Sequence, residues 1–321
     1  MNPTAAVLSM LVATSAPLFA AEPARIAPDE IPRLSGVWLE YLGGLPAEKA
    51  PLAARWLDDG DDFPSYTRRK VAYAIEPGVE IDAVLFLPKQ TRGKVPGIVV
   101  FHPTLAAHYA QVAGYDATAP DKMLGPQLAE RGFAVLCPRC FIFGEGADYA
   151  AHVAQMKARH PGWRGITRMT WDGIRALDYL ASLDAVDAGR LGIIGHSLGA
   201  KEVLYVAAFD PRVKAAVFSE GGIGRAMSNW EDVWYLGERP EGSPREHHEL
   251  LALIAPRAFM LIAGGGNGGA DSADSGRFLD AVRPLFPPDS LGWLLHGAGH
   301  AYPPEARAAA EAFLVDKVMR P

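Results

Sequence analysis

Residues 190–201, Arg-Leu-Gly-Ile-Ile-Gly-His-Ser-Leu-Gly-Ala-Lys, run from a short apolar strand through Gly195-His196-Ser197-Leu198-Gly199 into the apolar helical stretch 202–208. A G-x-S-x-G string alone is weak, but a strand entering it and a helix leaving it make it a tight strand-to-helix turn. Such a turn strains the serine backbone and admits only small residues beside it, so Gly195 and Gly199 let Ser197 stand exposed over a sheet edge. That requirement commits the chain to strand–helix alternation with its chemistry at the carboxyl ends of the strands.

The rest of the sequence supplies the alternation. Residues 67–88 alternate polar and apolar around Glu76-Pro77-Gly78, the pattern of an antiparallel hairpin. Strands follow at 95–101, 133–136, 213–218, 259–263 and 292–295, and helices at 122–131, 170–183 and 304–318. The fold class is therefore α/β, a mostly parallel, doubly wound sheet with helices on both faces. Insertions at 104–121, 141–168 and 219–250 each follow a strand and are expected to gather above Ser197. Residues 22–64, rich in proline and acidic side chains, read as an N-terminal wrap with a short helix near 47–57, and residues 65–321 as one catalytic domain.

Composition narrows the partners. The formal net charge of −6 and the lack of a Lys/Arg run disfavour nucleic acid and anionic membranes, which leaves a small neutral substrate. Residues 1–21 read as a signal peptide: an uncharged apolar stretch at 5–20 precedes Ala21-Glu22-Pro23, with no Lys or Arg ahead of it. Export, periplasmic or secreted, is expected. No later segment offers about 18 apolar residues, so no span is expected once the signal is removed. The sequence carries no signal for an oligomeric state. Cys137 and Cys140 form a lone C-x-x-C, read as structural and compatible with a short-loop disulfide in an oxidising compartment. No metal is expected, because His247-His248-Glu249 lacks ligand spacing and no H-E-x-x-H occurs.

A serine hydroxyl needs a general base within hydrogen-bond reach and a carboxylate to orient that base. Among nine histidines, His300 follows the last strand and precedes the last helix, which gives the order serine, acid, histidine. His296 falls at the strand end, and His196 is expected to pack away from the chemistry. The acid is open among three positions. Asp271, on the glycine-rich loop 264–274, is preferred; Glu220, closing the strand in Phe218-Ser219-Glu220-Gly221-Gly222, and Asp274 are the alternatives. Backbone donors for an oxyanion are assigned to Leu198, directly after the nucleophile, and Thr104, on the loop after the strand ending at Phe101; His102 is expected to order that loop. Lys201, Trp230 and Trp234 are the candidate substrate-binding residues, the aromatics as platforms for a sugar or aryl ester.

With these residues in hand, the chain resembles α/β-hydrolases of the dienelactone hydrolase and acetyl xylan esterase-like kind over about residues 65–320. The likeness is carried by Gly195–Gly199, Asp210-Pro211-Arg212-Val213-Lys214-Ala215-Ala216-Val217, Ala255-Pro256-Arg257, the loop at Asp271 and Gly299-His300. The resemblance implies an α/β-hydrolase fold and serine carboxylesterase chemistry without a cofactor, on a small or carbohydrate-linked ester. Dienelactone hydrolases proper use a cysteine where this chain has Ser197. A second likeness is to glucuronoyl methylesterases, which place a lysine four residues after the serine and a Glu-Ser-Gly-like strand end. Lys201 and Glu220-Gly221-Gly222 match that pattern, and Leu198 stands where those enzymes carry arginine. Acyl-peptidases, which commonly add a propeller domain, and a catalytically inactive hydrolase-fold binding protein are the competing expectations.

Overall fold

The computed structural model describes residues 23–320 apart from 90, 106, 117, 119, 145–147, 241, 242, 244 and 267. The signal-peptide reading of residues 1–21 falls outside the described residues.

In chain order the elements are α1 (Ile31–Leu42), β1 (Arg55–Trp56), β2 (Asp61–Asp62), β3 (Tyr66–Glu76), β4 (Val79–Pro88), β5 (Val95–Phe101), α2 (Tyr109–Val112) and α3 (Leu124–Glu130). There follow β6 (Ala134–Pro138), α4 (Tyr149–Arg159), α5 (Gly165–Ser182), β7 (Val186–His196), α6 (Leu198–Phe209) and β8 (Val213–Ser219). The chain closes with α7 (His248–Ile254), β9 (Ala258–Ala263), α8 (Gly276–Val282), β10 (Leu291–Leu295) and α9 (Pro304–Leu314).

One sheet carries the order β1-β3-β4-β6-β5-β7-β8-β9-β10. From β6 to β10 every neighbouring pair is parallel, and the β3–β4 hairpin joins that array antiparallel through β6. The winding reverses around β5, because the chain leaves it for β6 on one side and returns to β7 on the other. Crevices form at such a reversal, at the carboxyl ends of the strands, and this one lies between the loops after β5 and β7. Strands β5 and β6 are buried along their whole length, as a sheet covered on both faces demands. One apolar layer packs α5, α6, α7 and α8 against the sheet; the other packs α3 and α9.

The expected hairpin and parallel strands stand at their predicted places. The N-terminal wrap differs. Its helix is α1, not 47–57, where Pro51 denies a helical amide and the chain runs extended, with Leu52 O accepting from Ala74 N (2.7 Å) and Ala50 O from Arg175 Nη2 (2.6 Å). Helix α1 ends at Gly43, whose φ of 84° terminates it in the left-handed region. Trp38, fully buried, donates from Nε1 to Glu249 Oε2 at 2.8 Å and seats α1 against α7.

Cys137 and Cys140 are free thiols. Cys137 lies in the apolar layer on one face of the sheet and Cys140 in the layer on the other, so the strand end separates them instead of closing a short-loop disulfide. Among the described residues, no helix is long and apolar enough to cross a membrane.

Candidate active site

The turn after β7 has the strain its sequence demanded. Ser197 has φ 59° and ψ −117°, and its amide donates to Ser219 O at 2.8 Å, tying the turn to β8. A Cβ on Gly195 would come within 2.3 Å of the Gly199 backbone, and one on Gly199 within 2.2 Å of Phe101 O. Both contacts are far inside van der Waals distance and both meet backbone, so neither position tolerates a side chain.

Three side chains from separate strand ends meet here. His300 Nε2 lies 2.9 Å from Ser197 Oγ, and His300 Nδ1 lies 3.1 Å from Glu220 Oε2. The loop after β10 carries the histidine, as expected from the sequence, but the carboxylate it meets is Glu220 and not Asp271. Glu220 ends β8 with φ 56°, a conformation uncommon outside glycine, which turns its side chain under the histidine. The carboxylate is fully buried. Its Oε1 accepts from the amides of Gly264 and Asp271 (3.3 Å), and Oε2 accepts from Ala270 N (2.7 Å) as well as from the imidazole.

Asp271 has another task. Its oxygens accept from Gly222 N and Ile223 N, both at 2.7 Å, and from Ser275 Oγ at 2.9 Å. The two loops therefore clasp each other: the acid from the β8 loop binds amides of the β9 loop, and the acid from the β9 loop binds amides of the β8 loop. Complete burial pushes the Asp271 carboxyl up to about 6, against the pull of these three donors. Asp274 is excluded from the site; it lies half-exposed beside Arg277 (3.4 Å) in the short turn capped by Ser272.

Leu198 begins α6, so its amide has no acceptor within the helix and points, like other first-turn amides, out of the N-terminal end. Thr104 is exposed on the bend after β5, with its side chain near that of Tyr235. The loop that carries it is fixed by His102, whose Nδ1 donates to Pro103 O (2.8 Å) while Nε2 accepts from Cys140 N (3.0 Å). Burial first, with smaller contributions from His108 and Arg139, holds His102 down at about 4 and hence neutral. It splices the loops after β5 and β6, the ordering role its sequence position suggested.

His196 also packs rather than reacts. It shares a hydrogen bond with Ser219 Oγ (3.0 Å) and lies 5.0 Å from the His300 ring, and burial keeps it well below the ordinary histidine range. His296 uses Nδ1 to accept from Ala298 N at 3.1 Å, closing the turn that delivers His300.

Two of the three candidate substrate contacts are structural. Trp230 is fully buried, with Nε1 donating to Gly222 O at 2.8 Å. Lys201 is 2% exposed; its Nζ donates to Ser228 Oγ (2.7 Å) and Asn229 Oδ1 (3.1 Å) and lies 4.4 Å over the Trp230 ring. Both are struts of the loop after β8. Burial brings the Lys201 ammonium down to about 7, with Asp271 the foremost opposing charge. Trp234 stays half-buried, edge-on to Tyr149. Sequence reasoning passed over Tyr235, which contacts the Thr104 side chain, lies 4.7 Å from Lys201 Nζ and, through its carbonyl, caps the Ile166 amide of α5 at 3.0 Å. Its place in an aromatic run hid it. A sequence signal was absent too for Ser275, which bonds Asp271 from across the loop.

Residues 81–233 match the Dienelactone hydrolase family. Over 126 residues the chain is 29% identical to 4-O-methyl-glucuronoyl methylesterase 1 of Sodiomyces alcalophilus, a match covering 30% of this chain and 25% of that protein. It is 30% identical over 137 residues to the bis(hydroxyethyl) terephthalate hydrolase of Streptomyces coelicolor, covering 41% and 35% respectively. The matches thus span only about a quarter to a third of these relatives' lengths. A glucuronoyl esterase from Solibacter usitatus superposes with a TM-score of 0.70 at 16% identity, covering 90% of this chain and 92% of that one. The chain has an α/β-hydrolase fold, and over residues 81–233 it is similar to the Dienelactone hydrolase family.

Proposed function

We propose that this protein is a serine carboxylic-ester hydrolase acting on a carbohydrate-linked ester. The observation that carries the proposal is the relay of Ser197 Oγ, His300 and Glu220, at 2.9 and 3.1 Å, on a strained turn at a helix N-terminus. Ser197 Oγ attacks the ester carbonyl carbon as His300 Nε2 takes its proton. Glu220 holds the Nδ1–H tautomer and stabilises the imidazolium. The carbonyl oxygen becomes an oxyanion facing the amides of Leu198 and Thr104, each such donor contributing about 3 kcal/mol in a transition state. Collapse breaks the C–O bond, His300 protonates the departing alcohol, and the acyl group remains on Ser197. Water, deprotonated by His300, then releases the acid and restores the serine.

The carbohydrate reading draws support from the glucuronoyl esterase likeness in sequence and fold, and from an acid at the end of β8. Trp234, half-buried near Tyr149, is the remaining aromatic suited to line the substrate cleft. The apolar stretch at 5–20 supports export to the periplasm or medium. Turnover of p-nitrophenyl acetate and labelling by a fluorophosphonate, both abolished in Ser197→Ala, are expected. Absence of both in the unaltered chain would overturn the proposal. Comparing methyl glucuronate with acetylated xylose then separates a uronate ester from an acetyl ester.

A further inference from the structure

The two amides assigned to the oxyanion stand on different elements. Leu198 begins α6, whereas Thr104 lies on the exposed bend after β5. The sheet fixes the roots of these segments through the Phe101–Gly195 pairing of β5 and β7, and His102 ties the start of the β5 loop to the Cys140 amide at 3.0 Å. Two donors help an oxyanion only when their convergence is set before the charge develops. The bend at Thr104 therefore has to be held against α6 by something beyond the sheet.

Tyr235, 2% exposed, bridges that gap. Its ring meets α6 in two ways. Lys201 Nζ, one helical turn after Ser197, lies 4.7 Å from the ring centroid, an attractive placement for a cation. Trp230, 5.7 Å from Tyr235, carries the contact on to Tyr205 of α6 at 5.8 Å. The other end of the residue, its hydroxyl, lies near the side chain of Thr104. Burial above all pushes that hydroxyl up from the ordinary tyrosine range, so it stays protonated and able to donate.

The backbone of Tyr235 is fixed without help from the hydroxyl. Its amide donates to Asp232 O at 2.9 Å, and its carbonyl accepts from Ile166 N at 3.0 Å. The next carbonyl, of Leu236, accepts from Arg164 Nη1 at 2.6 Å. Gly165 completes the contact: a Cβ there would lie 2.3 Å from Trp234 O, so the start of α5 and this segment meet backbone to backbone. Removing the hydroxyl alone leaves the ring and the segment in place.

We infer that Tyr235 is a positioning residue for the oxyanion site. Its hydroxyl donates to Thr104 Oγ1 and braces the bend after β5 against α6, so that the Thr104 and Leu198 amides keep their convergence. The inference rests on the esterase reading and deepens it. Tyr235 acts through Thr104 and not on the reacting atoms.

The test is a double-mutant cycle of Tyr235→Phe and Thr104→Val in the full chain, read by p-nitrophenyl acetate hydrolysis and by thermal unfolding. Thr104→Val keeps the amide and removes only the hydroxyl end of the brace. Acylation and deacylation both pass through an oxyanion, so kcat reads the brace whichever step limits it. Each single variant should lose about fivefold in kcat, with KM within about twofold of wild type. The double variant should be no slower than the slower single one, because both replacements break one contact; independent roles would multiply to about 25-fold. Multiplying losses, or unfolding midpoints that fall while kcat stays at the wild-type value, would overturn the brace. Failure of the unaltered chain to hydrolyse any ester would sink the esterase reading instead. The cycle is then read from the unfolding midpoints, where non-additive shifts support the Tyr235–Thr104 contact and additive ones refute it.

Discussion

The pair Glu220→Gln and Asp271→Asn separates an acid that orients the base from an acid that holds a loop. In Glu220→Gln the amide has two orientations, and both are costly. With its NH2 at the Oε2 position it faces Ala270 N and His300 Nδ1, both donors, so the imidazole must turn Nδ1 into an acceptor and carry its proton on Nε2. A histidine in that tautomer cannot take the serine proton. With the NH2 at the Oε1 position the tautomer survives, but the amide opposes the N–H groups of Gly264 and Asp271. Loss of the carboxylate also removes the charge that stabilises the imidazolium. Together these predict a fall in kcat of about 10³ to 10⁴ with little change in KM.

Asp271→Asn disturbs different bonds. Its amide retains one acceptor oxygen, so one of the Gly222 and Ile223 amides loses its partner in a site with no access to water. One orphaned buried amide costs about 1 to 3 kcal/mol, a shift of several degrees in the unfolding midpoint for a chain of this size. The histidine keeps its carboxylate, so kcat should fall by no more than about tenfold. Steady-state hydrolysis of p-nitrophenyl acetate and thermal unfolding of both variants measure the two effects. The reasoning fails if Asp271→Asn loses as much kcat as Glu220→Gln while its unfolding midpoint stays at the wild-type value.

Two further outcomes follow from burial. Gly199→Ala puts a methyl against the Phe101 carbonyl of β5, which cannot withdraw without breaking the sheet; a loss of about 1 to 3 kcal/mol in stability and of fluorophosphonate labelling is expected, and a variant with wild-type midpoint would refute the close approach. Glu202, buried beside the Cys140 thiol, is pushed up to about 8, chiefly by burial. A raised carboxyl contributes most below its ordinary 4.5 and loses that contribution as pH rises to about 8, so stability should decline across this window by on the order of 1 kcal/mol per pH unit. Glu202→Gln imitates the protonated acid and should unfold at progressively higher temperature than wild type between pH 5 and 8.5. Parallel midpoint curves would show that Glu202 does not titrate there.

The strained turn at Ser197, the approach of His300 to it and the parallel sheet were legible because each follows from a local rule. A strand-to-helix turn with two glycines can be read from five residues, and a histidine between the last strand and last helix has its place set by topology. Polar side chains under the loop after β8 were not legible in the same way. Lys201 and Trp230 carry groups that, on a surface, would meet a substrate; only packing reveals that the lysine is spent on Ser228 and Asn229 and the indole on Gly222. The expected irregular insertion at 141–168 also contained α4, whose start is capped by Asp148 accepting from Ala151 N at 2.7 Å.

The acid was ambiguous for a more specific reason. Strands β8 and β9 are neighbours, so acids following either one converge beneath the same histidine, and chain order alone allows both. What decides between them is the space at Gly264. A Cβ there would lie 1.9 Å from Gly299 O and 2.8 Å from Glu220 Cδ, so the first residue after β9 must be glycine for the His300 loop and the Glu220 carboxylate to close over it. The following glycines at 265, 266 and 268 have positive φ and fold the loop back, delivering the Ala270 and Asp271 amides to Glu220. This return also turns the Asp271 side chain toward Gly222 and Ile223, away from His300. A glycine-rich run ending in aspartate thus resembles a loop built to present its own acid, whereas its backbone is shaped to receive the acid of the neighbouring strand.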